Sequence, residues 1–275
     1  MPCVMECPVV VLKEVAPSHC LLTVRAPEIA REARPGQFAM LLVADGLAPF
    51  LRRPFSFSRI YQDSVGFLIK VGGQGTRLLA QCQPGQTISV QGPLGNGFNI
   101  DPARERHIIV AGGMGVAPCP ALAEGLVRVC GKAPEVIIGA RTADLILCER
   151  DFREMGCTVH IVTDDGSAGE KGAAAHILDH LSPQKGDMIY ACGPMPMLAS
   201  ISLVAEARGV DCQVSLEANM ACGDGACLGC VVESRYETEG EKMVRVCKDG
   251  PVFDSKVIDW TIHNLAYDPA MDKGR

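Results

Sequence analysis

Four cysteines near the C-terminal end of the chain are spaced in a way that restricts their chemistry. Cys222, Cys227 and Cys230 lie in the segment Cys-Gly-Asp-Gly-Ala-Cys-Leu-Gly-Cys, and Cys247 follows after sixteen intervening residues. C-x4-C-x2-C with a distant fourth cysteine is the spacing of plant-type [2Fe-2S] sites. A tight loop must wrap one face of such a cluster, directing three thiolates inward and bringing backbone N–H groups near the sulfides. Gly223, Gly225 and Gly229 supply the conformational range and close approach this requires. A zinc site or reactive thiols are the alternatives. Four-cysteine zinc sites usually pair two C-x2-C knuckles, and here there is one, so the spacing favours iron and sulfide.

Two further groups of residues suit phosphate-bearing cofactors. Val110-Ala111-Gly112-Gly113-Met114-Gly115-Val116-Ala117-Pro118 follows an apolar strand and opens a helix. Glycines such as Gly113 and Gly115 let a backbone approach a pyrophosphate, which then rests on the helix N-terminus, and Pro118 suits the first helical turn. The same string also makes a tight turn in any α/β domain; its place between strand and helix favours dinucleotide binding. The other group is Arg53-Pro54-Phe55-Ser56 with Gly73-Gln74-Gly75-Thr76. In isolation these read as a surface arginine and a turn, and they gain meaning only from the elements around them.

Those elements change character along the 275 residues. Up to about residue 100, short β-rich stretches recur at close spacing (9–12, 20–26, 38–43, 54–60, 66–71 and 87–91), the pattern of a small antiparallel barrel. Strands at 107–111, 135–139, 158–163, 188–191 and 212–216 then alternate with helices starting near Ala117, Leu145, Ala173 and Met195, which predicts a parallel α/β sheet. After Leu216 the regularity stops, leaving the cysteine cluster and a polar tail. The expected fold is multi-domain β and α/β, divided as a barrel over 1–103, a nucleotide-binding α/β domain over 104–214 and a small iron-sulfur module over 215–275.

Composition narrows the partners. Apolar residues make up 48% of the chain, enough for several cores, and the net charge of -6 leaves no broad cationic surface for a nucleic acid backbone. No apolar run reaches the length of a membrane span, and the start of the chain lacks a signal-peptide pattern. Of fourteen cysteines, Cys20, Cys130, Cys148, Cys192 and Cys212 lie in apolar segments as small hydrophobes, and only four gather around glycines. Reduced thiols in such number point to the cytoplasm.

In a small barrel, Arg53-Pro54-Phe55-Ser56 and Gly75-Thr76 resemble the ferredoxin-NADP reductase superfamily, in which an R-x-[YF]-S strand and a following Gly-Thr hold a flavin and its phosphates. The resemblance covers nearly the whole chain, through Pro35-Gly36-Gln37-Phe38, Gly92-Pro93-Leu94-Gly95 and Cys192-Gly193-Pro194. It implies FAD held by Arg53, Pro54, Phe55, Ser56, Leu68, Ile69, Lys70, Gly73, Gly75 and Thr76, although Phe55 stands where a smaller aliphatic is expected. It also implies NAD held by Gly113, Gly115, Asp164 and Asp165. The two carboxylates at the expected adenosine ribose would repel a 2′-phosphate; Arg141 argues mildly the other way. Cys192 is placed either beside the nicotinamide or as a buried structural thiol. Because the cofactors carry the hydride chemistry, no catalytic acid or base is expected.

Ser215-Leu216-Glu217, Met220-Ala221-Cys222-Gly223, Gly225-Ala226-Cys227 and Arg245-Val246-Cys247-Lys248-Asp249-Gly250-Pro251-Val252-Phe253 are similar to the electron-transfer subunits of NAD-linked dihydroorotate dehydrogenase, a pyrimidine-biosynthesis enzyme. This resemblance implies a hetero-oligomer with an FMN-containing catalytic subunit, from which electrons pass through the [2Fe-2S] cluster and FAD to NAD+. Met220, Leu228, Val231 and Val232 are candidates for the partner contact or for packing on the chain's own barrel. Subunits of NADH-dependent ferredoxin:NADP oxidoreductase or of sulfide dehydrogenase share the domain order. They tend to carry an acid at the position of Cys222.

Overall fold

In the computed structural model, which describes residues 2–42, 50–238 and 241–261, the first part of the chain is an antiparallel sheet of seven strands. These are β1 (Cys3–Ala16), β2 (His19–Arg25), β3 (Phe38–Leu42), β4 (Arg53–Ser56), β5 (Arg59–Ile60), β6 (Ser64–Lys70) and β7 (Thr87–Leu94), hydrogen-bonded in the order β4-β3-β7-β1-β2-β6-β5. Two short helices, α1 (Pro27–Glu32) and α2 (Gln74–Leu79), interrupt the series. The stretch expected as one strand over 54–60 is two. Phe57 donates its N–H to Gln37 O, and the next residue, Ser58, donates to Gly66 O, so the chain steps from the β3 edge to the β6 edge and curls the sheet into a barrel. β1 is longer than its apolar signal at 9–12 because it changes partner midway: residues 3–8 pair with β7 and 9–16 with β2. Residue 43, the expected end of the third strand, and the tail 262–275 lie outside the described residues.

The period of two decides what each barrel strand touches. Along β3, Ala39 and Leu41 fill the barrel interior while Phe38 and Met40 point outward into a core shared with the rest of the chain. Along β6, Val65, Phe67 and Ile69 face inward, and Leu68 faces the neighbouring domain.

The second part alternates β8 (His107–Gly112), α3 (Cys119–Cys130), β9 (Glu135–Ala140), α4 (Glu149–Glu154), β10 (Thr158–Thr163), β11 (Glu170–Lys171), α5 (Ala174–His180), β12 (Met188–Cys192), α6 (Met195–Arg208) and β13 (Asp211–Ser215). Its sheet runs β11-β10-β9-β8-β12-β13, all parallel. Helices cover both faces, so β8 reads as a continuous apolar run: Ile108 and Val110 pack on one side, Ile109 and Ala111 on the other. The order reverses between β8 and β12, which opens a crevice at their C-terminal ends.

Regularity was expected to stop after Leu216, yet the chain returns to this sheet. A hairpin of β14 (Val231–Thr238) and β15 (Glu241–Arg245) is followed by β16 (Val252–Asp254), which pairs antiparallel with β13 at the sheet edge. Val246, Phe253 and Trp260 share one apolar core with Leu198 and Ile201 of α6 and with Phe38, Met40 and Leu94 of the barrel. A segment too short to bury a core alone is thereby stabilised by two neighbours.

Candidate functional site

The hairpin explains the sixteen-residue gap before the fourth cysteine. Val231 pairs with Arg245, so the strands bring their flanking residues together: Val246 N–H donates to Cys230 O (3.1 Å), and Cys247 N–H to Cys230 Sγ (3.4 Å). Across the loop, Cys227 N–H donates to Cys222 Sγ (3.4 Å) and Gly229 N–H to Cys227 Sγ (3.5 Å). The thiols thus form two pairs, 222 with 227 and 230 with 247. That arrangement suits a group with two metal centres better than a single zinc ion. The loop backbone is shaped for it. Gly223 and Gly225 have φ of +77° and +90°, and a Cβ there would reach within 2.6 Å of Met40 and 2.5 Å of Lys248.

Electrostatics divides the pairs. Backbone N–H of Gly229, then of the other loop residues, holds the exposed Cys227 thiol down to about 7. Burial, then the neighbouring Cys230 thiol, pushes Cys247 up to about 12. A bound cationic centre offsets the cost of deprotonating such an inner thiol. Cys230 and Cys247 are almost fully buried, whereas residues 226–229 are exposed, so one edge of the loop faces outward.

Behind the loop lies a cleft of about 250 Å³ between barrel and nucleotide domain. Pro54, Phe55 and Ser56 of β4, Leu68 and Lys70 of β6, Met114, Cys192 and residues 215–218 and 220 line it. Its walls are apolar with a few convergent polar groups, as a site for a flat conjugated ring requires. A larger groove of about 750 Å³ continues over the C-terminal ends of β8, β9, β10 and β12, lined by Gly112, Gly113, Gly115, Arg141, Asp164, Gly193 and Met197. Lys70, Met114 and Glu217 belong to both spaces. Gly113 has φ of +53° facing open space, and a Cβ on Gly115 would strike the Cys192 carbonyl. The helix expected from Ala117 is preceded by a 3-10 turn, Gly113–Val116, and α3 begins at Cys119 with Pro118 as its N-cap.

Residues 217–259 match the model of the iron-sulfur cluster binding domain of dihydroorotate dehydrogenase B, and residues 109–202 that of the oxidoreductase NAD-binding domain. The dihydroorotate dehydrogenase B (NAD(+)) electron transfer subunit of Desulforamulus reducens is 36% identical over 260 residues, covering 94% of this chain and 98% of its own. The chain belongs to that family. The Bacillus cereus (strain Q1) electron transfer subunit is 37% identical over 88% of this chain and 93% of its own. Among solved structures, NADH-dependent reduced ferredoxin-NADP oxidoreductase, from work on flavin-based electron bifurcation, aligns at a TM-score of 0.80 with 30% identity. That alignment covers 98% of this chain and 96% of the other. The ferredoxin reductase of carbazole 1,9a-dioxygenase, 23% identical with a TM-score of 0.65 over 76% of this chain, shares the fold. The family's cofactor set is FAD, a [2Fe-2S] cluster and NAD. Among the described residues no helix is long and apolar enough to cross a membrane.

The residues singled out in the sequence fall into distinct places in this electron transfer subunit. Pro54, Phe55, Ser56, Leu68, Lys70 and Cys192 meet at the cleft, and Phe55 also lies 6.5 Å from Phe67, ring centre to ring centre. Ile69 does not join them: its side chain is fully buried in the barrel core, on the opposite face from Leu68 and Lys70. Arg53 is held by the carbonyls of Leu51 (2.5 Å) and Arg52 (3.4 Å), outside the cleft lining. Gly73, Gly75 and Thr76 form the start of α2, also outside it, where the Thr76 hydroxyl accepts the N–H groups of Gly72 (2.9 Å) and Gly73 (3.1 Å). Asp164 lines the groove, but Asp165 turns away to accept the N–H and hydroxyl of Ser167. Cys192 is both buried and on the cleft wall, and burial pushes its thiol up to about 12, so it stays neutral. Met220 and Val232 pack on the chain's own core, whereas Leu228 is 58% exposed. Glu217 was not picked out as a site residue. Its exposed surface opens onto the two cavities, while protein on its other sides raises its carboxyl pKa. Its position just beyond the end of β13 was the available signal, since ligands of parallel sheets gather at strand C-termini.

Proposed function

We propose that this chain is the electron-transfer subunit of an NAD+-linked dihydroorotate dehydrogenase, docking on an FMN-bearing catalytic subunit and conveying its electrons to NAD+. The observation that carries this reading is the contiguity of the cysteine loop, the cleft and the groove. Met220, on the cleft wall, is two residues from Cys222, at most about 7 Å along the chain, and the cleft opens into the groove through Lys70, Met114 and Glu217. When bound, the cluster supplies one-electron relay, FAD the exchange between single electrons and pairs, and NAD+ hydride acceptance.

The chain's own residues bind, orient and insulate. Cys222, Cys227, Cys230 and Cys247 are the iron ligands in this reading, and Met40 and Leu94 press against Gly223 from beneath. Pro54, Phe55 and Leu68 give the flavin ring an apolar wall, with Arg53, Gly73, Gly75 and Thr76 assigned to its phosphates farther along the barrel. Gly113 and Gly115 leave room for the NAD pyrophosphate, and Asp164 is assigned to the adenosine ribose. The exposed edge 226–229, with Leu228 at its tip, is the side offered to the catalytic partner. The working division is a barrel at 1–103, a nucleotide domain at 104–214 and a cluster module at 215–275, with β16 lent by the last to the sheet of the second. Fourteen free cysteines support a cytoplasmic site of action. A subunit of a related NAD(P)H:ferredoxin oxidoreductase is the second reading, favoured by the 0.80 TM-score and opposed by a cysteine at 222.

Anaerobic purification followed by cofactor extraction tests the assignment. One FAD with two irons and two sulfides per chain is expected. Zinc in place of iron, or FMN in place of FAD, overturns it.

A further inference from the structure

The turn that follows the fourth cysteine is bonded by a residue that lies far from it in sequence and belongs to neither the hairpin nor the cluster loop. Cys247 sits in the tight turn 245–250. Arg245 closes this turn by pairing its guanidinium with Asp249 at 2.9 and 3.0 Å, while its backbone N–H donates to the same carboxylate at 2.8 Å. From the end of the barrel, Asn96 reaches across 152 residues of sequence. Its Nδ2 donates to Lys248 O (3.1 Å) and Asp249 O (2.9 Å), and its backbone N–H donates to Gly250 O (2.6 Å). Both side-chain acceptors are carbonyls, so only the amide nitrogen can face them, which fixes the amide's orientation. Asn96 thus grips the three residues immediately after the ligand.

Its own position is braced from every side. Gly95 O accepts Gln37 Nε2 (2.7 Å), Phe98 packs edge-on against Tyr190 at 5.6 Å, and Asn99 is bonded through N and O to the side chain of Gln213 (2.8 Å each). Residues 95–99 therefore tie barrel, nucleotide domain and the Cys247 turn together, and Gln37 adjoins Phe38, which lines the cleft.

We propose that Asn96 is a positioning residue for the iron-sulfur cluster: by clamping the 247–250 turn to the barrel it fixes the Cys247 sulfur and the N–H of Cys247 that points at Cys230 Sγ. This rests on Cys247 being an iron ligand. Partners one shell outside a metal ligand govern its affinity, and N–H donors to ligand sulfur stabilise the extra negative charge of a reduced cluster. Without the clamp the cluster is held less tightly and its reduction potential falls. The flavin is untouched.

The test uses the full chain with FAD bound, in wild type, Asn96→Ala, Asn96→Asp and Gln37→Ala. Asn96→Asp keeps the shape but removes the donor, whereas Gln37→Ala cuts a different hydrogen bond of the same linker. Cluster release to an iron chelator, the reduced-state electron paramagnetic resonance spectrum and the cluster potential are measured, with flavin absorbance as the check on folding. Both Asn96 variants should lose iron up to about tenfold faster than wild type, the low end of the range for groups bonded to a ligand because Asn96 holds the backbone beyond it, with a shifted spectrum and a more negative potential at unchanged FAD content. Gln37→Ala, which loosens the linker but leaves the Asn96 bonds to Lys248, Asp249 and Gly250 in place, should change all three much less than either Asn96 variant. Wild-type release rate, spectrum and potential in both Asn96 variants overturn the proposal while leaving the ligand assignment standing. Loss of FAD together with the cluster, or an equal effect from Gln37→Ala, reduces Asn96 to a general structural role and overturns it too. A wild-type protein without [2Fe-2S] overturns both.

Discussion

Gly223→Ala is a demanding test of the cluster loop, because the structure separates the two costs of adding one methyl group. The first is conformational: φ is +77°, and an L-residue in the left-handed region costs about 1–2 kcal/mol. The second is steric: the new Cβ would lie 2.6 Å from Cγ of Met40, a fully buried side chain, and 3.3 Å from Leu94, and overpacking of this kind costs about 1–3 kcal/mol. The sum is roughly 3 kcal/mol, which in a chain of this size lowers the melting temperature by roughly 5–10 °C. Two alanine controls isolate the parts. Gly85 has φ of +88° with nothing within 4 Å, so it carries only the first cost, and Gly72, outside the cluster loop, has no positive φ and nothing within 4 Å, so it carries neither. Thermal unfolding and iron content of anaerobically prepared protein should rank the variants Gly72→Ala, Gly85→Ala, Gly223→Ala in increasing order of damage, with iron lost only in the last. Gly223→Ala no worse than Gly85→Ala would refute the packing of the loop on Met40.

Of the two carboxylates, Asp164 rather than Asp165 should set coenzyme choice. Asp164→Ala should raise kcat/KM for NADPH in a diaphorase assay about tenfold, the equivalent of relieving about 1.4 kcal/mol of repulsion at an exposed site, while Asp165→Ala should leave the NADH to NADPH ratio unchanged; the reverse pattern would move the ribose site. The thiols give a pH prediction. Because N–H donors lower the Cys227 pKa to about 7, its thiolate is present above that pH and lost below it. After cluster removal, iodoacetamide should therefore label Cys227 at a rate that rises through pH 7 and levels off above it. Cys247, buried and pushed up to about 12, should stay unlabelled there; a Cys227 midpoint near the ordinary thiol value of about 8.5 would contradict the loop geometry.

How much of this was legible in the sequence depends on the range of the interactions involved. The loop carrying three of the four proposed cluster cysteines was, because C-x4-C-x2-C is a local pattern. The parallel strands were too, since β8 and β12 are apolar on both faces and stand out as runs. Less legible was anything decided by a distant partner. Nothing local in Phe57-Ser58 announces a crossing between sheet edges, because Gln37 and Gly66 supply the acceptors. β16 is three residues long and becomes a strand only because β13 offers an unpaired edge. The resemblance implies Ile69 beside Leu68 and Lys70 at the flavin, but the pleat sends its side chain into the barrel. Asp165 was grouped with Asp164, but Ser167 draws it aside. Glu217 belongs to the Ser215-Leu216-Glu217 run that carries the resemblance, but that run says nothing of its role, which comes from two cavities meeting at it.

The central claim is a division of labour between this chain and a catalytic partner. It is tested most directly by following dihydroorotate-dependent reduction of NAD+ with this chain alone, with the cognate FMN subunit alone, and with the two mixed under anaerobic conditions. The mixture should form a complex and reduce NAD+, the FMN subunit alone should not, and this chain alone should oxidise no dihydroorotate. Full activity from the isolated chain, or neither complex nor NAD+ reduction on mixing, would contradict the account.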